Sequence, residues 1–197
     1  MKIILIVAVC LLTGCIASKE PEQIKIRKLQ KNRTQQDSGF VYALPYEKGS
    51  SHYVVQGYYS AFSHKNRIAL DFKMKKGTKI TAARDGVVVR AREDNNKGGW
   101  NRKYREYANF VVLEHADGSR AGYWHLQQNG VLVNIGDTVK QGQVIALSGK
   151  TGYSAFPHLH FLVWSNKDGR WQNLPTRFIT KKGAKYLRPL RSYRHPK

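Results

Sequence analysis

From Phe40 onward, apolar and polar residues alternate in short runs separated by turn residues. Tyr53-Val54-Val55, Ile68 to Phe72, Gly86 to Val89, Phe110 to Leu113, Val131 to Val133 and Val144 to Leu147 are short and rich in β-branched or aromatic residues. Such side chains pack well on a pleated surface, so each run predicts a strand. Asp85-Gly86 and Asp117-Gly118 predict tight turns, where glycine supplies a positive φ. No long segment repeats at the helical period. The pattern predicts a mostly β domain of antiparallel sheets over residues 39–180, long enough to bury a core. Lys76 to Val88 and Ile135 to Ile145 echo each other as a Gly-containing turn followed by a β-rich run, a sign of a duplicated strand–turn unit.

The first 38 residues have a different texture. Met1-Lys2, the apolar run Ile3 to Leu12 and Thr13-Gly14-Cys15 have the shape of an export signal over residues 1–14. The run falls short of the ~20 residues that a spanning helix needs. Removing it takes Cys10 away and leaves Cys15 as the one cysteine, so neither a disulfide nor a cysteine zinc site can form in the mature chain. Leu12-Thr13-Gly14-Cys15 resembles the lipobox of bacterial lipoproteins, which implies acylation of Cys15 and attachment to a membrane. Ile16 follows Cys15 where an Asp would direct inner-membrane retention. By resemblance to enterobacterial sorting rules, this implies the periplasmic face of the outer membrane in an organism that has one. Residues 15–38 are too polar to build a core and predict a lipid-anchored flexible tether with a reach of roughly 25 Å, a helical stretch around Ile24 to Leu29 being left open.

Charge adds a second theme. The chain has 34 Lys and Arg against 13 Asp and Glu, a formal +21. Residues 181–197 read as a basic C-terminal tail, with Lys181, Lys182, Lys185, Arg188, Arg191, Arg194 and Lys197. In a cytosolic chain this would point to nucleic acid. An export signal argues against that partner and for wall carboxylates, lipid headgroups or lipopolysaccharide phosphates, met by a general electrostatic attraction.

Candidate chemistry gathers in three places. In Pro157-His158-Leu159-His160-Phe161 the two imidazoles share one strand face, which suits metal ligation or proton transfer. In Ile68-Ala69-Leu70-Asp71-Phe72 alternation puts Asp71 opposite the apolar side chains. In Tyr123-Trp124-His125-Leu126 a regular strand would place Tyr123 and His125 on one face. His52, His115 and His195 read as structural or surface residues. Asn109, Tyr123, Tyr58, Tyr59 and Phe62 read equally as cleft or packing residues, and the loop from Glu93 to Glu106 as one groove wall.

Taken in order, these segments resemble the M23 metallopeptidases, the lysostaphin or LytM type, over roughly Phe40 to Phe178. The likeness also includes Ala82 to Val88, Asn109 with His115-x-Asp117-Gly118, Val133 to Gln143 and Ser148 to Gly152. The resemblance implies a zinc-dependent endopeptidase acting on peptidoglycan stem peptides or cross-links. It implies one Zn²⁺ held by Asp71, His160 and a further histidine, with His125 and His158 as the non-ligand catalytic pair. The common His-x-x-x-Asp pattern would put that further histidine at position 67, where this chain has Arg67; His64 is the nearest substitute. Leu162 stands where many members carry a carboxylate. Two other readings are a metal-free, degenerate member that binds cell wall and regulates another hydrolase, for which Arg67 is the main ground, and a basic, lipid-anchored wall- or lipopolysaccharide-binding protein without enzymatic activity.

Overall fold

Nine strands form one antiparallel sheet that frames the site. They are β1 (Ser51–Gln56), β2 (Leu70–Lys73), β3 (Gly86–Arg92), β4 (Phe110–Glu114), β5 (Arg120–Trp124), β6 (Thr138–Val139), β7 (His158–Lys167), β8 (Arg170–Leu174) and β9 (Arg191–Arg194). Across the sheet they run β6-β3-β4-β5-β7-β2-β1-β9, and β8 pairs with the second half of β7. The computed structural model describes residues 21–31, 33, 39–167 and 169–197; the expected export signal, Cys15 and much of the expected tether lie outside them.

Alternation along the central strands sorts two faces. Leu159, Phe161 and Val163 of β7, Leu70 and Phe72 of β2, and Ala121 and Tyr123 of β5 enter the core, each at most 1 % exposed. Burying a side chain of Leu or Phe size stabilises the fold by about 1.5–3 kcal/mol, so these positions set the register. His158, His160, Leu162 and Trp164 of β7 occupy the opposite face. Two three-stranded sheets and one two-stranded sheet accompany the large one; the three-stranded ones are Lys79–Thr81, Leu126–Val131 and Val144–Ser148, and Val41–Tyr42, Arg177–Thr180 and Gly183–Tyr186. Tyr42 and Phe178, both of the last-named sheet, pack edge-on against Phe161.

The echoed units pair with each other. Lys79–Thr81 runs antiparallel to Val144–Ser148, and Gly86-Val87 antiparallel to Thr138-Val139. Gly77 and Gly136 both take positive φ, at 78° and 96°, where a side chain would be strained.

Two segments expected outside the domain belong to it. Pro21–Gln30 of the expected tether forms helix α1, in which Ile26 and Leu29 are 3 % and 2 % exposed. Three residues apart, they lie on one helix face and join the core, and the Gln30 side chain donates to the Leu187 carbonyl at 2.9 Å. The expected basic tail is also folded: Gly183–Tyr186 closes a hairpin with Arg177–Thr180, and β9 pairs with β1. Charge misled the reading there, because an edge strand tolerates cations on its exposed positions.

Candidate metal centre

The floor of the site is a strand ladder. Asp71 on β2 is the register partner of His160 on β7, and Trp124 of β5 pairs with His160 from the other side. Directly opposed residues bring their side chains together, so His160 Nδ1 lies 2.7 Å from Asp71 Oδ1. His64 comes from the loop between β1 and β2 and is 1 % exposed. Its Nε2 lies 3.3 Å from Asp71 Oδ1 and 3.2 Å from His160 Nδ1. These three side chains form the one cluster among the described residues able to hold a metal ion.

Their donor atoms fit such an ion. His64 Nδ1 donates to the Gly57 carbonyl at 3.1 Å, which leaves the Nε2 lone pair facing the cluster. Gln56 Nε2 donates to Asp71 Oδ2 at 2.7 Å, which leaves Oδ1. A tetrahedral ion with bonds of about 2.0–2.1 Å sets its ligand atoms about 3.3 Å apart. Two of the three separations match, and the third is contracted by the His160–Asp71 hydrogen bond.

Burial opposes a charge on Asp71, yet His160, His64 and His158 around it hold its pKa well below the ordinary carboxylate value. Burial likewise disfavours charged His64, but the Asp71 carboxylate leaves its pKa raised. For His160 burial prevails over Asp71, and its pKa is lowered.

Two further imidazoles line the same groove. His158 Nδ1 donates to the Phe156 carbonyl at 2.8 Å, and His125 Nδ1 to the Thr151 carbonyl at 2.7 Å. Each is thereby fixed in the tautomer that keeps Nε2 unprotonated. Their ring centroids are 4.6 Å apart, and His158 Nε2 is 3.8 Å from Asp71 Oδ1, beside the cluster and outside it. Burial, then the neighbouring His158 and His160, lower the His125 pKa well below the usual imidazole value.

His125 departs from the expected alternation. Tyr123 is buried in the core, where its hydroxyl accepts from Ala83 N at 2.8 Å, and does not share a face with His125. His125 adopts φ 67°, a left-handed conformation uncommon outside glycine, and this turn at the end of β5 swings its ring into the groove. Trp124 lines the groove beside it. Gly122 makes room there, because a Cβ would overlap the Trp124 ring.

The groove encloses about 960 Å³. One wall is the His64 loop with Phe62, Lys65 and Arg67; the other holds Trp100, Arg102 and Arg105 from the expected 93–106 loop. The rings of Phe62 and Trp100 meet between the walls with centroids 4.9 Å apart. The second wall is rooted where Gly98-Gly99 pairs in parallel with Gly152-Tyr153. A Cβ on Gly98 would overlap the Lys150 carbonyl, and one on Gly152 would press on Ala108 while its φ is 78°.

Other singled-out residues lie elsewhere. His52, His115 and His195 bond to the carbonyls of Lys73, Asp85 and Pro196. Asn109 is buried and bonds to Asn95 at the root of the second wall, and Tyr58 bonds to Thr176. Arg67 is exposed and contributes no atom to the cluster. No motif marks Gln56, which also accepts from Ser63 N at 3.0 Å and so joins Asp71 to the His64 loop.

The model of peptidase family M23 matches residues 64–173. Glycyl-glycine endopeptidase ALE-1 of Staphylococcus capitis is 41 % identical over 102 residues, 51 % of this chain and 25 % of the relative. Peptidoglycan DD-endopeptidase ShyA of Vibrio cholerae is 38 % identical over 91 residues, 46 % of this chain and 18 % of the relative. A crystal structure of a zinc-containing peptidase from Vibrio cholerae is similar with a TM-score of 0.50 and 27 % identity over 68 % of this chain and 39 % of that one. The matched part thus spans a quarter or less of these two curated relatives.

Proposed function

Because the chain belongs to peptidase family M23, we propose that it is a zinc-dependent endopeptidase cutting peptide bonds in peptidoglycan stem peptides or cross-links. The observation that carries this reading is the convergence of His64 Nε2, Asp71 Oδ1 and His160 Nδ1 on the floor of an open groove. Bound there, Zn²⁺ supplies a Lewis acid that polarises the scissile carbonyl and brings the pKa of water from ~15.7 towards ~7.

The protein's own groups handle the protons. In their neutral forms His158 and His125 present the Nε2 lone pair to the groove, because their Nδ1 atoms donate to backbone carbonyls and fix the rings. One of them takes a proton from the attacking water as its oxygen bonds to the carbonyl carbon, and the proton passes to the leaving nitrogen as the C–N bond breaks. The charged imidazole meanwhile favours the developing oxyanion. Gln56 keeps Asp71 aimed while this happens.

What supports this reading over a metal-free regulator is that His64 brings a second histidine to the cluster while Arg67 stays outside it. Zinc content of purified protein, measured together with digestion of purified sacculi, tests the proposal. We expect one zinc per chain and cleavage abolished by chelation; protein that neither binds zinc nor cleaves would overturn it.

We further propose that the protein is exported and anchored through acylated Cys15, facing the periplasm from the outer membrane where there is one, on the strength of residues 1–16. Incorporation of labelled palmitate, lost in Cys15→Ser, is the expected result; no incorporation in the unmutated protein would refute it.

A further inference from the structure

Four cations face the groove without an ion-pair partner among the described residues. Lys65 and Arg67 stand on the His64 loop, and Arg102 and Arg105 on the 3₁₀ turn Arg102–Tyr107 of the opposite wall. All four are exposed. Among the described residues the non-histidine ion pairs engage Lys79, Arg84, Arg92, Arg120 and Lys140, and none of these four. Arg92, also at the groove, is turned onto the carbonyls of Ala108 and Glu106. Besides Asp71, which belongs to the metal cluster, Glu106 is the one acidic side chain lining the groove among the described residues.

Like charges on both sides of a cleft repel one another, and the field between them concentrates anions. A guanidinium also matches a carboxylate with two parallel hydrogen bonds. From this arrangement we infer that Lys65, Arg67, Arg102 and Arg105 select substrates whose peptide arms carry free carboxylates close to the scissile bond. A bridge of uncharged residues would leave all four unpaired. The inference rests on the groove being the peptidase site, and it gives the strong basic charge a local task that a generally cationic surface does not have.

The test uses two synthetic cross-linked peptides identical except that one carries free carboxylates and the other carries them as amides. kcat/KM is measured for each with the full zinc-loaded protein, and equilibrium binding of each is measured separately. The free-carboxylate peptide should be preferred by about 10-fold or more, the size of one charge-assisted contact. The preference should shrink as salt rises towards about 0.5 M. Arg102→Gln with Arg105→Gln, and Lys65→Gln with Arg67→Gln, should each reduce it while leaving the amidated peptide within about 3-fold. Equal use and equal binding of the two peptides, or a preference that survives in both double variants, would overturn the inference. Preferential binding of the acidic peptide with no cleavage of either would uphold it and count against the peptidase reading.

Discussion

Asp71 and His160 meet across a regular strand ladder, whereas His64 and His125 reach the same place from irregular backbone. In the first pair, one register fixes both side chains, and the buried partners Leu70, Phe72, Leu159 and Phe161 fix the register. In the second pair, each ring is oriented by a bond from Nδ1 to a carbonyl, Gly57 for His64 and Thr151 for His125. The ladder therefore gives precision through packing, and the loops give it through hydrogen bonds to atoms that carry no sequence identity.

The largest effect should come from the ladder. Asp71→Ala is expected to lose zinc and cut sacculus digestion to background, because two neutral imidazoles hold the ion poorly. His64→Ala should do the same despite its loop origin; full zinc occupancy in that variant would show that the ladder suffices. His125→Ala should retain zinc by metal analysis and lose roughly 10²–10⁴-fold in rate, as expected for a lost acid–base or oxyanion contribution.

A smaller change should follow from the contact that couples the two regions. Gln56→Leu removes the donor to Asp71 Oδ2 and the bond to the His64 loop, and should weaken zinc by about 10–100-fold in a competition titration. An unchanged affinity would mean that the ladder aims the carboxylate unaided.

The pH response of metal-free protein separates the regions most finely. Burial lowers the His125 pKa, so in the folded state the ring stays neutral where the unfolded chain, with pKa ~6.5, takes up a proton. The unfolded state then binds more protons, and stability falls as pH drops below about 6.5. The slope from this one group is at most about 1.4 kcal/mol per pH unit. His125→Gln should flatten denaturant midpoints measured between pH 7 and pH 5; an identical slope would place the titration elsewhere.

What could be read from the chain follows the same division. Two-residue alternation placed His158 and His160 on one face and Asp71 away from Leu70 and Phe72, since burial enforces it. Alternation failed at His125, where a left-handed φ reverses the direction of the ring and no neighbouring residue announces it. His64 was visible through family likeness alone, because a loop has no period. The helix left open around Ile24 to Leu29 and strand β9 were not legible as parts of the domain for a related reason: Ile26 and Leu29 are a thin apolar face among charges, and the cations around β9 hid a short edge strand.

The glycine root of the second wall has a consequence for how this groove can change. At Gly98 and Gly152 two backbones sit too close for any side chain, so variation there would lift the wall away from the floor. From Trp100 to Glu106 all side chains but Tyr104 are exposed. Substitutions at that tip can therefore alter what the groove accepts without moving the His64–Asp71–His160 cluster, and a combinatorial library confined to the tip is a practical route to proteins of new specificity on an unchanged floor.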